Sequence, residues 1–334
     1  MGRIFKFKKR KFLKLRYLLF IGLIYLSFDT TYTYLLSKKN NITNELYLKM
    51  MLNNTNNHFN IGYKPKRIIN ETVSLLTNVD IKNPLTLLTI KTNNENIPID
   101  DNITHNDEYD YDKQAKITNY VKDPNPTNIN NPIIYIYNSH QLENYNSGNL
   151  DIYNITPNVM MASYMLKEKL NGLGIPSIVN EFNLAEFIRL NNWGHADSYK
   201  ASRIFMLDAK NKYDTLEYYI DIHRDSINKD QSTITINGKK YARTLFVIGE
   251  ENPLYNDNLA LANKLHQQIE TKYPKLSRGV LNKKGVGVNG IYNQDISAKA
   301  ILIEIGGYQN TFEEVMLTVD AISEILYEYI RGAS

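Results

Sequence analysis

Three short apolar runs in this chain stop at residues able to hold a cation. Ile133-Ile134-Tyr135-Ile136-Tyr137 leads through Asn138-Ser139 to His140, with Glu143 three residues further on. Tyr218-Tyr219-Ile220-Asp221-Ile222 ends at His223, and Ala300-Ile301-Leu302-Ile303 ends at Glu304. Zinc takes imidazole nitrogen and carboxylate oxygen, and a hydrolytic site uses three protein ligands with the fourth position open to water. His140, Glu143 and His223 supply such a set. The metal lowers the pKa of its water toward ~7, and a further carboxylate is then needed to take the proton and return it to a leaving nitrogen. Glu304, at a buried strand tip followed by Gly306-Gly307, is the candidate for that task.

Taken singly, these residues have plainer readings. His140 fits a polar residue at a strand end, Glu143 a solvated carboxylate, and Asp221-Ile222-His223-Arg224-Asp225 a surface ion-pair cluster. Glu304 resists such a reading, because a carboxylate between Ile303 and Ile305 needs a partner or a cation if it is buried. It is the coincidence of three strand ends that favours metal. His58, His105 and His266 are weaker candidates, and His195 in the loop Asn191-Asn192-Trp193-Gly194-His195 is assigned a structural or solvated role.

Strand ends converge when the strands are parallel and helices return the chain. Thr156-Pro157 predicts a helix start running to about Asn171, and Ile175 to Val179 reads as the next strand, a βαβ unit. Helices are expected over Asn183 to Leu190, Ser198 to Lys210 and Asn256 to Tyr273. Thr311-Phe312-Glu313-Glu314 is a capping box opening a last helix. Asn237-Gly238 between Ser232 and Tyr241 predicts a β-hairpin with a type I′ turn, and Thr244 to Gly249 a further strand. The expectation is an α/β fold, a three-layer α/β/α sandwich with a mainly parallel central sheet and an inserted β-hairpin. Its site lies at the carboxyl ends of the strands.

The 334 residues contain no cysteine, which excludes thiolate ligands and a cysteine nucleophile, and an apolar fraction of 43% permits a substantial core. The formal charge of +4 is local, because Met1 to Arg16 holds eight Lys or Arg and no acid. The remainder is slightly acidic, which removes the argument for a nucleic-acid surface. The basic head runs into Tyr17 to Leu36, long enough for a span of about 20 residues. Flanking positive charge predicts an uncleaved signal anchor with everything after it outside the cytoplasm. The expected organisation is a cytoplasmic basic head over 1–16 and a transmembrane anchor over 17–37. A membrane-proximal region and linker, partly disordered and rich in Asn and Thr, occupies 38–130, and a catalytic domain occupies 131–334.

The segments Asn138-Ser139-His140-Gln141-Leu142-Glu143-Asn144-Tyr145, Asp221 to Asp225, Ile236-Asn237-Gly238-Lys239, Tyr292-Asn293-Gln294-Asp295 and Leu302-Ile303-Glu304-Ile305-Gly306 occur in order. Together they resemble the stage II sporulation protein P family over about Pro132 to Ile330. The resemblance implies a membrane-anchored, zinc-dependent N-acetylmuramoyl-L-alanine amidase acting on peptidoglycan during forespore engulfment. It implies a second endopeptidase activity on cross-links, and partnership with sporulation proteins D and M. It implies His140 and His223 as metal ligands and Glu304 as the catalytic carboxylate. The wider amidase superfamily draws its Glu ligand from the start of the helix after the first strand, where this chain has Asn158, which leaves Glu143 as the nearest carboxylate. Arg224, Asn293 and Arg203 are the implied substrate-binding residues. Two other readings remain open: a metallocarboxypeptidase-like enzyme, and a tethered wall-binding scaffold without turnover.

Overall fold

The computed structural model describes Leu48 and residues 120–126, 128–153 and 155–332. The expected basic head and anchor, and all of 38–119 except Leu48, lie outside the described residues. Among the described residues no helix is long and apolar enough to cross a membrane.

In chain order the elements are β1 (Ile134–Tyr137), α1 (Val159–Gly172), β2 (Ser177–Val179), α2 (Leu184–Leu190), α3 (Ser198–Lys212) and β3 (Tyr218–Asp225). Then come α4 (Lys229–Ser232), β4 (Thr233–Ile236), β5 (Lys239–Ala242), β6 (Thr244–Gly249) and α5 (Tyr255–Lys272). The last three are β7 (Ser277–Lys283), β8 (Lys299–Gly307) and α6 (Phe312–Gly332). Six strands form one sheet in the order β2-β1-β3-β8-β6-β7. β2, β1, β3 and β8 run parallel to one another, whereas β6 is antiparallel to β8 and carries β7 parallel to itself.

From β1 the chain goes out through α1 to β2 at one edge, then crosses back to β3 on the other side of β1. The strand order therefore reverses beside β1, and the crevice between the carboxyl ends of β1 and β3 is where an open α/β sheet binds ligands. β1 is buried on both faces, as its unbroken apolar run requires. Tyr135, Tyr137 and Tyr219 pack with Met206 and Ala209 of α3. Strand alternation leaves Ile134 and Ile136 to the opposite face, which α1 covers together with its neighbour α6.

The hairpin β4-β5 forms a separate two-stranded sheet, and its Asn237 and Gly238 have φ of 51° and 76°, as a type I′ turn demands. The Glu314 carboxylate accepts from Thr311 N at 3.1 Å, the return half of the expected capping box. Two elements differ from expectation. β7 is an edge strand whose Arg278, Gly279 and Asn282 spoil the apolar pattern, and an edge position tolerates that. α1 starts after Asn158, not at Thr156-Pro157, because the Asn158 side chain caps it by accepting from Met161 N at 3.2 Å.

The packed structure reaches back to the segment 120–126, which lies on α1. Tyr164 Oη donates to Val121 O at 2.8 Å, and the fully buried Lys167 pairs with Asp123 and donates to Asn125 O at 2.7 Å. Replacing the cap of α1, Asn158→Ala, is expected to cost about 1 kcal/mol of unfolding free energy in urea denaturation. No loss would mean that Asn158 does not hold the start of α1.

Candidate metal centre

The turn after β1 is fixed before it reaches any candidate ligand. Asn138 Nδ2 donates to Ile222 O on β3 at 2.6 Å and to Ser163 Oγ on α1 at 2.9 Å. Glu143 N then closes the turn on His140 O at 3.3 Å, and Glu143 O accepts from Val159 N at 3.0 Å. These bonds bring the two side chains together, His140 Nδ1 lying 3.2 Å from Glu143 Oε1.

β3 delivers the third member. His223 Nδ1 lies 3.4 Å from Glu143 Oε1, and one ligand atom from each of His140, Glu143 and His223 falls within 4.8 Å of the others. The β3–β8 ladder is irregular between His223 and Asp225. A bulge leaves a backbone group unpaired, and here Arg224 N donates to Glu143 Oε2 at 2.8 Å. The second Glu143 oxygen is thus held, and the first faces both imidazoles.

β8 adds Glu304, whose Cα pairs in register with that of His223. Glu304 lines the same cleft of about 810 Å³ as His140, Glu143 and His223. Its Oε2 is buried and has no hydrogen-bond partner among the described residues. An orphaned carboxylate oxygen beside two imidazoles and a carboxylate fits a site meant to hold something more.

The electrostatics divide the two glutamates. Burial alone would raise the Glu143 carboxyl, but His223 and His140 outweigh it and hold Glu143 well below the usual carboxylate range. Burial alone would lower His223, yet Asp221 and Glu143 push it well above the usual imidazole range. Burial pushes the Glu304 carboxyl up to about 8, with the nearby His223 only partly opposing it. Two imidazole nitrogens and one anionic oxygen within reach of one point are a donor set that suits zinc.

The remaining expected residues fall in different places. Arg224 lines the cleft with its side chain largely buried, Nη1 donating to Asp225 O at 3.0 Å. Arg203 forms a two-pronged pair with Asp295 at 2.7 and 2.8 Å. Asn293, in the left-handed region at φ 55°, donates from Nδ2 to Tyr199 O at 2.9 Å and to Ser202 Oγ at 3.0 Å. Those bonds account for Arg203 and Asn293 without a substrate contact. His195 is exposed on the cleft wall with its ring 4.2 Å from that of His140. Tyr199, in the segment Ser198-Tyr199 that resembles a family segment near the substrate groove, has its ring stacked on His223 at 6.3 Å and 9° and lines the cleft with Tyr292. Nothing in the spacing of α3 distinguishes Tyr199 from a core aromatic.

Fold and site together define an α/β protein with a candidate metal centre at the carboxyl ends of its parallel strands. The family described as Stage II sporulation protein P (SpoIIP) matches residues 47–327. The chain belongs to the stage II sporulation protein P family. It is 35% identical over 223 residues to Stage II sporulation protein P of Bacillus subtilis (strain 168), a match covering 65% of this chain and 56% of that protein's length. The chain thus spans little more than half of that relative. Among solved structures, an N-acetylmuramoyl-L-alanine amidase from Clostridium difficile 630 overlaps 61% of this chain and 97% of its own, at 16% identity and a TM-score of 0.37.

The raised Glu304 carboxyl makes a testable demand on metal-free protein. Between the ordinary value of 4.5 and about 8 the folded state binds more protons at this residue than the unfolded state does. Its contribution to stability is therefore present at low pH and is lost as pH rises through that window. Glu304→Gln removes the titration, so urea denaturation should show wild type losing ground to the variant from pH 4.5 to 8. A constant difference would reject a buried, proton-holding Glu304.

Proposed function

We propose that this protein is a membrane-anchored, zinc-dependent peptidoglycan hydrolase. It cleaves the amide between N-acetylmuramic acid and the L-alanine of the stem peptide, with endopeptidase action on cross-links as a second activity. The observation that carries the reading is the meeting of His140, Glu143 and His223 in one cleft with the unpartnered oxygen of Glu304. Membership of a sporulation family supports a role in septal wall remodelling and engulfment.

His140, Glu143 and His223 would hold the metal. Zinc held there supplies a Lewis acid for the amide carbonyl and water of lowered pKa. Glu304 accepts the proton of the attacking water at its free carboxylate oxygen and returns it to the leaving nitrogen as the C–N bond breaks. Tyr199 and Tyr292, with ring centroids 5.3 Å apart, wall the cleft and limit water around the reacting amide. A cleft of about 810 Å³ has room for a sugar–peptide junction. Arg224 is the substrate-facing cation, while Arg203 and Asn293 act through the backbone and neighbours of Tyr199. Tyr17 to Leu36 would anchor the chain in the bilayer, the chain between that anchor and the packed segment 120–126 would give reach, and sporulation proteins D and M would be its partners at the septum.

The test is digestion of purified sacculi by the full chain in detergent, with released fragments identified by mass spectrometry. Free stem peptides and peptide-free glycan strands are expected, abolished by a chelator and restored by zinc. Glu304→Gln should lower the rate by about 10²–10⁴-fold. Release of cross-link fragments or terminal residues alone would replace the amidase reading with a peptidase. Sedimentation with sacculi and no release at all would leave a wall-binding scaffold.

A further inference from the structure

Asp221 has no access to solvent, and it sits on β3 two residues before His223, so both side chains project from the same face of the strand. Its surroundings on that face are aromatic, with Tyr137 its register partner on β1 and Tyr219 before it. A carboxylate placed there is costly unless its oxygens are hydrogen-bonded and its charge is met. Among the described residues no Lys or Arg pairs with it, and its ion-pair partner is His223, Nε2 to Oδ1 at 3.1 Å.

The other bonds lead to the same place. Asp221 Oδ1 accepts from Ser139 N at 2.9 Å, and Oδ2 accepts from Ser139 Oγ at 2.7 Å. Ser139 Oγ itself lies 2.8 Å from His223 Nε2. The imidazole is thereby divided between two tasks: Nε2 is held from behind by Asp221 and Ser139, while Nδ1 faces Glu143 across the cluster. Ser139 also precedes His140 directly, so the bond from its backbone N–H ties the end of β1 to β3 immediately before the other imidazole. One carboxylate therefore touches the supports of both histidines.

We propose that Asp221, with Ser139, is the positioning pair that fixes the His223 ring with Nε2 protonated and Nδ1 presented to the metal. The proposal rests on the metal-centre reading above and adds to it the residue that orients one ligand. Asp221 does not touch substrate or metal and acts only through His223. Metal-bound imidazoles commonly donate their other nitrogen to a carboxylate, and loss of that carboxylate lowers metal affinity by about 10–100-fold. A purely structural role in the core would instead lower thermal stability and leave the affinity of folded protein unchanged.

The experiment titrates the full chain in detergent with cobalt(II), followed by zinc competition against a chromophoric chelator. Asp221→Asn is the main variant, because the amide keeps an oxygen able to accept from Ser139 N and His223 while losing the charge. Zinc affinity about 10–100-fold below wild type, with a shifted cobalt absorption spectrum and native circular dichroism, supports the proposal. So does nitrogen-15 histidine NMR that assigns protonated Nε2 to zinc-bound His223 in wild type and loses that signature in the variant. Unchanged affinity and an unchanged spectrum overturn it. If Asp221→Asn fails to fold, Ser139→Ala decides, weaker zinc binding supporting the proposal and equal binding overturning it. Wild type that binds no metal rejects the metal centre itself, an outcome distinct from a wild type and variant that bind alike.

Discussion

The pairing of β3 with β8 is the constraint on which the site depends. It sets His223 directly opposite Glu304, and β1 lies on the other side of β3 with Tyr137 opposite Asp221. Because these three strands run the same way, their carboxyl ends open on one side of the sheet, and His140 and Glu304, far apart in sequence, share one cleft. A slip of one residue between β3 and β8 would send every side chain of one strand to the opposite face. The apolar residues that fill both faces of these strands resist that slip, so the core that stabilises the fold also sets the geometry of the site. β6 then approaches β8 from the other side in the antiparallel sense, pairing Leu245 with Glu304. Glu304 is therefore flanked by a paired strand on each side, which holds its position in the sheet.

Charge in this cleft is arranged as an alternating chain. Asp221 meets His223, His223 meets Glu143, and Glu143 meets His140, each contact lying between 3.1 and 3.4 Å. Asp221 and Glu143 each have an imidazole within 3.4 Å, so their burial is offset locally. The chain runs from the strand interior outward, with Asp221 wholly enclosed and His140 partly open to the cleft.

Much of this was legible in the sequence because strand ends are marked by where apolar runs stop. His140, Glu143, His223 and Glu304 were found that way, and the cleft gathers all of them. The type I′ hairpin was legible because Asn-Gly is a local signal that tertiary packing did not override. β7 was not, since an edge strand needs only part of an apolar pattern and Arg278, Gly279 and Asn282 hide it. Asp221 was visible only as part of a charged pentad. Asp225 has the same spacing of two from His223, so the signal that could have separated them is that Asp221 lies inside the apolar run, between Ile220 and Ile222, whereas Asp225 lies past its end and pairs with Arg278 at 2.6 Å. Tyr199 and the Arg203–Asp295 clamp depend on how α3 crosses the sheet, which no local pattern encodes.

Glu143 and Glu304 are the same residue type with opposite electrostatic character, and the difference lies wholly in their neighbours. Glu143 has two imidazoles at one oxygen and a backbone N–H, freed by the β3 bulge, at the other. Glu304 has the same cleft in front of it, a strand on each side, and no partner for Oε2 among the described residues. The first environment favours the charged form and fixes its direction, which is what a ligand requires. The second favours the protonated form until a reacting group or a cation arrives, which is what a residue that receives and returns a proton requires. Exchanging the two roles would need Glu304 to acquire a donor and Glu143 to lose an imidazole, and neither change is compatible with the present register of β1, β3 and β8. The difference between the two glutamates is thus a property of the sheet before it is a property of the side chains.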